Sequence, residues 1–172
     1  MKKNKISKNW VNKQRRDTYV KQSKVDGYRA RSAYKLIEID EKFKIFKGGI
    51  TVVDIGAAPG SWSQYVEKVA KSGRLISIDL KEMEPIGNTT QIQGDFTEAN
   101  IQEEIMEYIN GKVNVVMSDM AVNTTGIKNI DSIQTGELCK EAMLFAKDIL
   151  LENGFFISKI FMGGTFNEIV AE

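Results

Sequence analysis

The sequence ITVVDIGAAPG at residues 50–60 predicts a buried β-strand that runs directly into a tight turn. The run up to Gly56 is mostly apolar and β-branched, which is typical of a strand inside a parallel sheet. Gly56 and Gly60 allow the backbone to turn sharply and to approach a ligand closely. Because a helical pattern follows at residues 61–71, the segment indicates a strand–turn–helix unit.

Strand and helix patterns alternate on both sides of this unit. Such alternation predicts an α/β, Rossmann-like fold, with a mostly parallel sheet and helices on both faces. A helix after Gly27 is predicted from an apolar stripe and is expected to end at Gly48-Gly49; the stripe consists of Ala30, Ala33, Tyr34 and Ile37. Later strands are predicted at 74–80, 90–95, 112–120 and 155–161, and later helices at 98–110, capped by Thr97, and at about 132–152, ended by Asn153-Gly154.

The last ten residues, 163–172, resemble the beginning of another helix. The strand at 155–161 would then form an exposed apolar edge, which natural proteins usually avoid. We therefore expect the native protein to continue beyond Glu172, or a partner chain to cover this edge.

Composition predicts one ordinary globular domain without covalent or metal staples. The chain has 172 residues, of which 42% are hydrophobic and 27% are charged. It contains one cysteine, Cys139, and no histidine, so an intrachain disulfide and a Cys/His zinc site are excluded. This content fits a reducing cytoplasm, and no apolar run of about 18 residues predicts a membrane span. We expect a cytoplasmic monomer without a metal.

Charge is distributed unevenly along the chain. Residues 1–47 carry 15 Lys and Arg against five Asp and Glu, whereas residues 48–172 carry nine against 18. A basic segment on an acidic body suggests a polyanionic partner, although solvated basic tails are also common. Aromatic side chains interleave with the charges and can stack on unpaired bases, which favours RNA; they are Trp10, Tyr19, Tyr28 and Tyr34. We predict a basic RNA-binding arm at residues 1–28 and a catalytic domain at residues 29–172.

Three carboxylates near the ends of successive strands predict a nucleotide-like ligand. Ligands of open α/β sheets bind at the carboxyl ends of the strands. Asp54 suits a cationic ligand such as a sulfonium amino acid, Asp79 can accept hydrogen bonds from ribose hydroxyls, and Asp95 can accept one from an adenine amino group. The glycine spacing is not G-x-G-x-x-G, which disfavours a dinucleotide. Trp62 could pack near the ligand, although a tryptophan there is more often part of the core.

Two further strands carry a candidate catalytic pair at the same edge of the sheet. Asp119 ends the fourth strand, and Lys159 lies within the predicted fifth strand. A lysine among apolar residues is costly to bury unless its charge is paired, and Asp119 is the expected partner. Lys35, on the helix before the first strand, could reach the same pocket.

At these motifs the chain resembles the FtsJ/RrmJ family of ribose methyltransferases, in the form that acts on bacterial large-subunit ribosomal RNA. The matching stretches span nearly the whole chain: residues 7–36, VVDIGAAPGSWSQY, ISIDL, GDF, VVMSDMAVNTTG and ISKIF. The resemblance implies a class I methyltransferase domain that uses S-adenosyl-L-methionine to 2′-O-methylate a uridine in the A loop. It implies catalytic roles for Lys35, Asp119 and Lys159, and cofactor contacts at Gly60, Trp62, Asp79, Asp95 and Asp119. The family's catalytic glutamate lies in strands that this sequence lacks.

A ribose 2′-hydroxyl is a poor nucleophile at neutral pH, so an enzyme must align oxygen, methyl and sulfur and help remove one proton. In this hypothesis Lys159 is the base, or the group that orients the hydroxyl. Asp119 positions that lysine and the cofactor. Lys35 holds the substrate and stabilises developing negative charge, and no metal is needed.

Other functions remain open on the sequence alone. The chain could be a non-catalytic RNA- or ribosome-binding protein that keeps the methyltransferase fold, or it could methylate another RNA such as tRNA. Methylation of a base, a protein or a small molecule is a further alternative. Base methyltransferases of this fold often carry a Pro-Pro motif or a catalytic cysteine, whereas here the fourth strand ends in SDMA and Cys139 falls inside a helix. NAD-dependent redox chemistry is disfavoured by the glycine spacing.

Overall fold

The computed structural model describes residues 17–122, 125–163 and 166–171. Within these ranges, five strands form one parallel sheet in the order β3-β2-β1-β4-β5. The strands are β1 (Thr51–Ile55), β2 (Arg74–Asp79), β3 (Thr90–Gln93), β4 (Val113–Ser118) and β5 (Leu150–Ser158). The helices are α1 (Thr18–Val25), α2 (Ala33–Phe43), α3 (Ser61–Val69), α4 (Ala99–Ile109), α5 (Lys128–Ile149) and α6 (Phe166–Ala171).

Strand β1 lies at the centre of the sheet, between β2 and β4. Every residue from Val52 to Ile55 is buried, since helices cover both faces of the sheet. This double coverage explains why the sequence of β1 is a continuous apolar run rather than an alternating one.

Two hydrophobic cores, one on each face, hold the layers together. On one face α4 and α5 pack on the sheet; Val53, Ile55, Ile76, Ile78, Ile105, Val116, Phe145 and Ile149 are among the core residues. On the other face α2 and α3 pack on the sheet; this core includes Leu36, Val52, Trp62, Tyr65, Val66, Leu75, Val115 and Met117. The structure therefore confirms the predicted α/β fold with helices on both faces.

The boundary between α5 and β5 differs from the prediction. Helix α5 ends at Ile149, and Leu150 already has an extended backbone and pairs with Val113. Asn153-Gly154 therefore lies inside β5, so the prediction that it ends the helix is wrong. The register shifts between Val113 and Val115, because extra residues on β5 loop out before pairing resumes at Phe155. As expected, β5 is an edge strand of the sheet that the described residues form, and Phe155 on it is 42% exposed.

Helix α2 is shorter than predicted, and its buried face overlaps the predicted stripe only in part. It ends at Phe43 rather than at the glycines, because Lys44 adopts a left-handed backbone with φ of 53°. The buried positions are Ala33, Leu36 and Asp40. Of the predicted stripe, Ala33 is fully buried and Ile37 is partly buried against the core, whereas Leu36 and Asp40 were not predicted. Asp40 accepts hydrogen bonds from the amides of Ile45 and Phe46 and from the Tyr65 hydroxyl. A satisfied buried carboxylate thus stabilises the chain reversal after α2.

Residues 17–28 pack against the domain, although the sequence assigned them to the basic arm. Arg31 forms an ion pair with Asp17, and the Tyr34 hydroxyl donates to Asp26. Gln64 on α3 donates to the carbonyl of Gly27 at 3.1 Å. Trp10 lies outside the described residues. None of the described helices is both long and apolar enough to cross a membrane.

Candidate functional site

A cleft of about 1010 Å³ opens at the carboxyl ends of the strands, where the sequence predicts a ligand. The turn after β1 and the residues that follow β2, β3, β4 and β5 all contribute to its wall. The wall includes Gly56, Ala58, Asp79, Leu80, Lys81, Asp95, Phe96, Asp119, Met120 and Lys159. Five of the predicted site residues therefore meet at one cleft: Gly56, Asp79, Asp95, Asp119 and Lys159.

The turn after β1 is held rigidly against the neighbouring strands. The amides of Gly56 and Ala57 both donate to the carbonyl of Ile78, at 2.8 and 3.0 Å. Gly56 has a φ of 73°, and a Cβ atom there would lie 2.9 Å from the Cα atom of Met120. Only glycine fits between this turn and the segment after β4 without a shift of the backbone.

The carboxylate of Asp79 is oriented by two backbone amides, one in the turn after β1 and one just after β2. Its Oδ2 atom accepts a hydrogen bond from the amide of Ala58, and its Oδ1 atom accepts one from the amide of Lys81, both at 2.9 Å. Each carboxylate oxygen has a second lone pair that a ligand hydroxyl can use. The carboxylate is therefore preorganised to accept hydrogen bonds from a diol.

Asp95 is an ionised acceptor beside an apolar wall. The hydroxyl and the amide of Thr97 both donate to its Oδ1 atom, at 2.7 and 2.9 Å, and these bonds lower the pKa of Asp95. The prediction that Thr97 caps α4 is wrong, because its side chain is turned towards Asp95 and Glu98 holds the cap position. Next to this carboxylate, the buried Phe96 ring packs edge-on against Phe145, with centroids 5.2 Å apart.

Asp119 and Lys159 form the ion pair that the sequence predicts. Ser118 and Ser158 are register partners in the parallel β4–β5 pair, so the residues that follow them lie side by side. The Lys159 amide donates to the Ser118 carbonyl at 2.9 Å, which extends the pairing by one step. The Lys159 Nζ atom lies 2.5 Å from Oδ1 of Asp119 and 3.2 Å from its carbonyl oxygen. The two side chains are 33% and 23% exposed, so the pair faces the cleft.

Asp54 is fully buried and is not part of the cleft wall. Its Oδ2 atom accepts a hydrogen bond from the Ser63 hydroxyl at 2.6 Å, and Ser63 in turn contacts Ser77 at 2.7 Å. Its Oδ1 atom has no hydrogen-bond partner. Burial raises the pKa of Asp54 to about 7, and the negative charges of Asp119 and Asp79 add to the effect. The side chain therefore supports the turn from behind.

Three other predicted site residues also lie away from the cleft wall. Trp62 is buried in the core between α2, α3 and the sheet, and its indole N–H donates to the Ser32 carbonyl at 2.9 Å. A Cβ atom on Gly60 would meet the side chains of Ile86 and Arg29 rather than the cleft. Lys35 is exposed in the first turn of α2, and no ion pair between described residues joins it to Asp119. Ligand contacts at these positions remain predictions.

One side of α5 forms a part of the cleft that the sequence analysis missed. Gln134, Glu137, Leu138 and Glu141 follow helical spacing and line the wall opposite the strand ends. The sequence carries this spacing, but a polar helix face is usually solvated, so the pattern alone does not indicate a cleft. Within the described ranges, no group of three Cys, Asp or Glu residues is placed to hold a metal ion.

The family model and the curated relatives that match this chain are all methyltransferases. The FtsJ-like methyltransferase family matches residues 28–172. Ribosomal RNA large subunit methyltransferase E of Pelagibacter ubique is 70% identical over 171 residues, which cover 99% of this chain and 84% of that protein. The protein of the same name from Rickettsia akari is 48% identical over 170 residues, and this match covers 95% of the present chain and 75% of the Rickettsia protein.

Solved structures agree on the fold. A ribosomal RNA methyltransferase from Plasmodium falciparum matches with a TM-score of 0.77 and 33% identity, over 84% of both chains. The MycE methyltransferase of mycinamycin biosynthesis, in complex with Mg, SAH and mycinamycin VI, matches with a TM-score of 0.51 and 17% identity, over 84% of this chain and 35% of its own. At that identity the second match shows the fold alone.

Proposed function

The chain belongs to the FtsJ-like methyltransferase family, and we propose that it uses S-adenosylmethionine to methylate the ribose 2′-hydroxyl of an A-loop uridine in large-subunit ribosomal RNA. The fold is the Rossmann-like fold of α/β methyltransferases. The observation that carries the proposal is the Lys159–Asp119 ion pair, which faces the same cleft as the turn after β1 and Asp79. A ribosomal RNA substrate also favours a cytoplasmic enzyme.

The side chains of the cleft fit S-adenosylmethionine. Asp79 offers two oriented carboxylate oxygens to the ribose hydroxyls, and Asp95 offers an ionised acceptor to the adenine amino group. Phe96 provides an apolar surface beside Asp95 for the adenine ring. Gly56 allows the amino-acid end of the cofactor to approach the backbone closely.

Lys159 is oriented to act on a ribose hydroxyl. S-adenosylmethionine supplies a methyl group on a positively charged sulfur, which leaves as a neutral thioether. A lysine ammonium has three N–H donors, and two acceptors of Asp119 are within hydrogen-bond distance of Nζ. In the charged form of Lys159, the third N–H can orient the 2′-hydroxyl. In the neutral form, the amine can instead accept the proton that the 2′-hydroxyl loses. Asp119 holds the lysine in place, and alignment of this kind contributes a large part of the rate.

A transfer assay with large ribosomal subunits tests the proposal. Unmodified subunits are incubated with the protein and S-adenosylmethionine labelled on the methyl group, and the digested RNA is examined for 2′-O-methyluridine. We expect labelled 2′-O-methyluridine from the wild-type chain. Lys159→Ala should reduce transfer by about 10²–10⁴-fold, the usual contribution of general-base help, and should leave cofactor affinity intact.

Lys112→Ala is the matched control. Lys112 also donates to a backbone carbonyl, that of Asp148 at 2.5 Å, but it precedes β4 and so lies at the opposite edge of the sheet. We expect this variant to keep full transfer. Full transfer by Lys159→Ala would contradict the assigned role of the lysine. Cofactor binding without transfer to any RNA would favour a non-catalytic RNA-binding protein, and label in tRNA would change the substrate.

A further inference from the structure

Arg29 connects two loops that belong to different parts of the sheet. It lies between α1 and α2, in the basic segment that the sequence predicts to face RNA. Its NH1 group donates to the carbonyl of Pro59 at 3.0 Å and to that of Glu84 at 2.9 Å, and its NH2 group donates to the carbonyl of Pro85 at 3.1 Å. Three contacts thus join the turn after β1 to the loop after β2.

Both loops continue into the wall of the cleft. Ala58 precedes Pro59 in the turn, whereas Leu80 and Lys81 begin the loop that reaches Glu84. The guanidinium lies behind this wall, against Gly60, where a Cβ atom would come within 2.9 Å of the NH1 atom. The position of Arg29 therefore sets the distance between the two loops without occupying the ligand space.

The composition of the loops explains why an arginine is needed there. The chain contains two prolines, Pro59 and Pro85, and Arg29 binds the carbonyl oxygen of each. A proline has no amide proton, so neither residue can donate a backbone hydrogen bond to the opposite loop. A planar guanidinium offers five N–H donors in a fixed arrangement and can serve several carbonyls, whereas a lysine offers a single compact centre.

The backbone of Arg29 is also anchored to the helix that follows the turn. Its amide donates to the Gln64 side chain at 2.9 Å, and Gln64 returns a hydrogen bond to the carbonyl of Gly27 at 3.1 Å. The other end of the second loop is fixed by Glu67, which accepts a hydrogen bond from the amide of Asn88 at 3.1 Å. Helix α3 is thus the common support for Arg29 and for the loop that it binds.

We propose that Arg29 is a positioning residue for the cofactor cleft: its guanidinium holds residues 56–60 against residues 80–86, and the resulting spacing sets the affinity for S-adenosyl ligands. This inference rests on the proposed function, since it needs the cleft to bind the cofactor. It also removes Arg29 from the set of basic residues available to RNA, because its guanidinium is engaged by carbonyl oxygens within the chain.

Calorimetric titration of the full chain with S-adenosylhomocysteine, without RNA, tests this role. We expect Arg29→Ala to raise the dissociation constant about tenfold, which is the lower end of the effect of losing hydrogen bonds to a charged group. Arg29→Lys should show most of the same loss, because one ammonium cannot serve three carbonyls on two loops. Millimolar guanidinium chloride should restore part of the affinity of Arg29→Ala, whereas sodium chloride at the same ionic strength should not.

Arg74→Ala is the matched control. Arg74 also binds backbone carbonyls, those of Tyr108 and Ile109 at 3.2 and 2.7 Å, but it lies at the start of β2, at the opposite edge of the sheet. Its loss should lower the melting temperature and leave the dissociation constant unchanged. In turnover assays Arg29→Ala should raise the KM for the cofactor more than it lowers kcat, with RNA affinity unchanged.

Three results would overturn the inference. The first is Arg29→Ala binding S-adenosylhomocysteine as tightly as the wild type, the second is Arg74→Ala weakening that binding equally, and the third is loss of Arg29 reducing RNA affinity alone. The last result would assign the side chain to the RNA surface. If the wild-type chain itself failed to bind S-adenosylhomocysteine, the proposed function would fail together with this inference.

Discussion

Replacing Asp54 by asparagine should change how the stability of the protein depends on pH. Asp54 is fully buried behind the turn of the cleft, with one oxygen bonded to Ser63 and the other without a partner. Asparagine has nearly the same shape, and its carbonyl oxygen can accept the same bond from Ser63. It does not ionise, so the comparison isolates the titration of this one carboxyl group.

The sign and size of the effect follow from the pKa of Asp54. Burial raises this pKa from 3.8 to about 7, so the folded state holds the proton more tightly than the unfolded state does. The stabilising contribution is fully present below the unfolded value and is lost as the pH rises through the folded value. At about 1.36 kcal/mol per pKa unit, the free energy of unfolding should fall by roughly 2–3 kcal/mol between about pH 5 and pH 8.

Urea unfolding followed by tryptophan fluorescence at several pH values measures this difference. We expect Asp54→Asn to gain stability relative to the wild type as the pH rises across this interval. Asp131→Asn serves as the control, because hydrogen bonds from Thr125 and Gly126 lower the pKa of Asp131. Asp131 titrates in the acid range, so the effect of Asp131→Asn on the free energy of unfolding should be constant from about pH 5 upwards.

Parallel pH profiles for the wild type and Asp54→Asn would refute the reasoning. Such a result would mean that the carboxyl group does not change its protonation in this interval. A wild-type stability that rises with pH relative to the variant would show that ionised Asp54 is stabilised by partners, which contradicts its unpaired oxygen.

Two further substitutions test the geometry of the cleft. Gly56→Ala should lower the free energy of unfolding by about 1–3 kcal/mol, as overpacking does, because the new Cβ atom meets the Met120 backbone. Gly111→Ala is the control, because Gly111 also has a positive φ but has open space around it, and it should lower the free energy of unfolding by less. An equal loss of stability in the two variants would exclude the clash with Met120 as the cause. Asp79→Asn should weaken S-adenosylhomocysteine binding about tenfold, since one amide nitrogen would face a backbone donor such as the Ala58 amide; unchanged calorimetric affinity would contradict this.

The predicted ion pair between Asp119 and Lys159 shows how far sequence reasoning extends into a site. Both residues follow apolar strand patterns, and parallel strands bring their carboxyl ends to one edge of the sheet. The in-register pairing of Ser118 with Ser158 then places the next two residues side by side. Asp79 and Asp95 reach the cleft by the same rule, because each lies at or just beyond the end of its strand.

The wrong predictions arose where a local signal competes with another contact of the same residues. Thr97 resembles a helix cap, but its hydroxyl is bonded to Asp95. Asn153-Gly154 resembles a helix stop, but pairing of Leu150 with Val113 draws the chain into the sheet five residues earlier than predicted. Thr97 is held by a residue two positions earlier in the same turn, and Leu150 is held by a residue that is distant in sequence but adjacent in the sheet.

The sequence alone determined the α/β class, the order of the elements from α2 onwards and the carboxylates at the strand ends, because hydrophobic period and glycine position are local properties of the chain. It did not predict helix α1 within the basic segment. Tertiary structure decided that Asp54 lies buried behind the turn, that a polar side of α5 closes the cleft and that Arg29 binds two loops. These features depend on which surfaces pack together. Residues 29 and 85 are far apart in the chain, and only the folded sheet brings their donor and acceptor within hydrogen-bond distance.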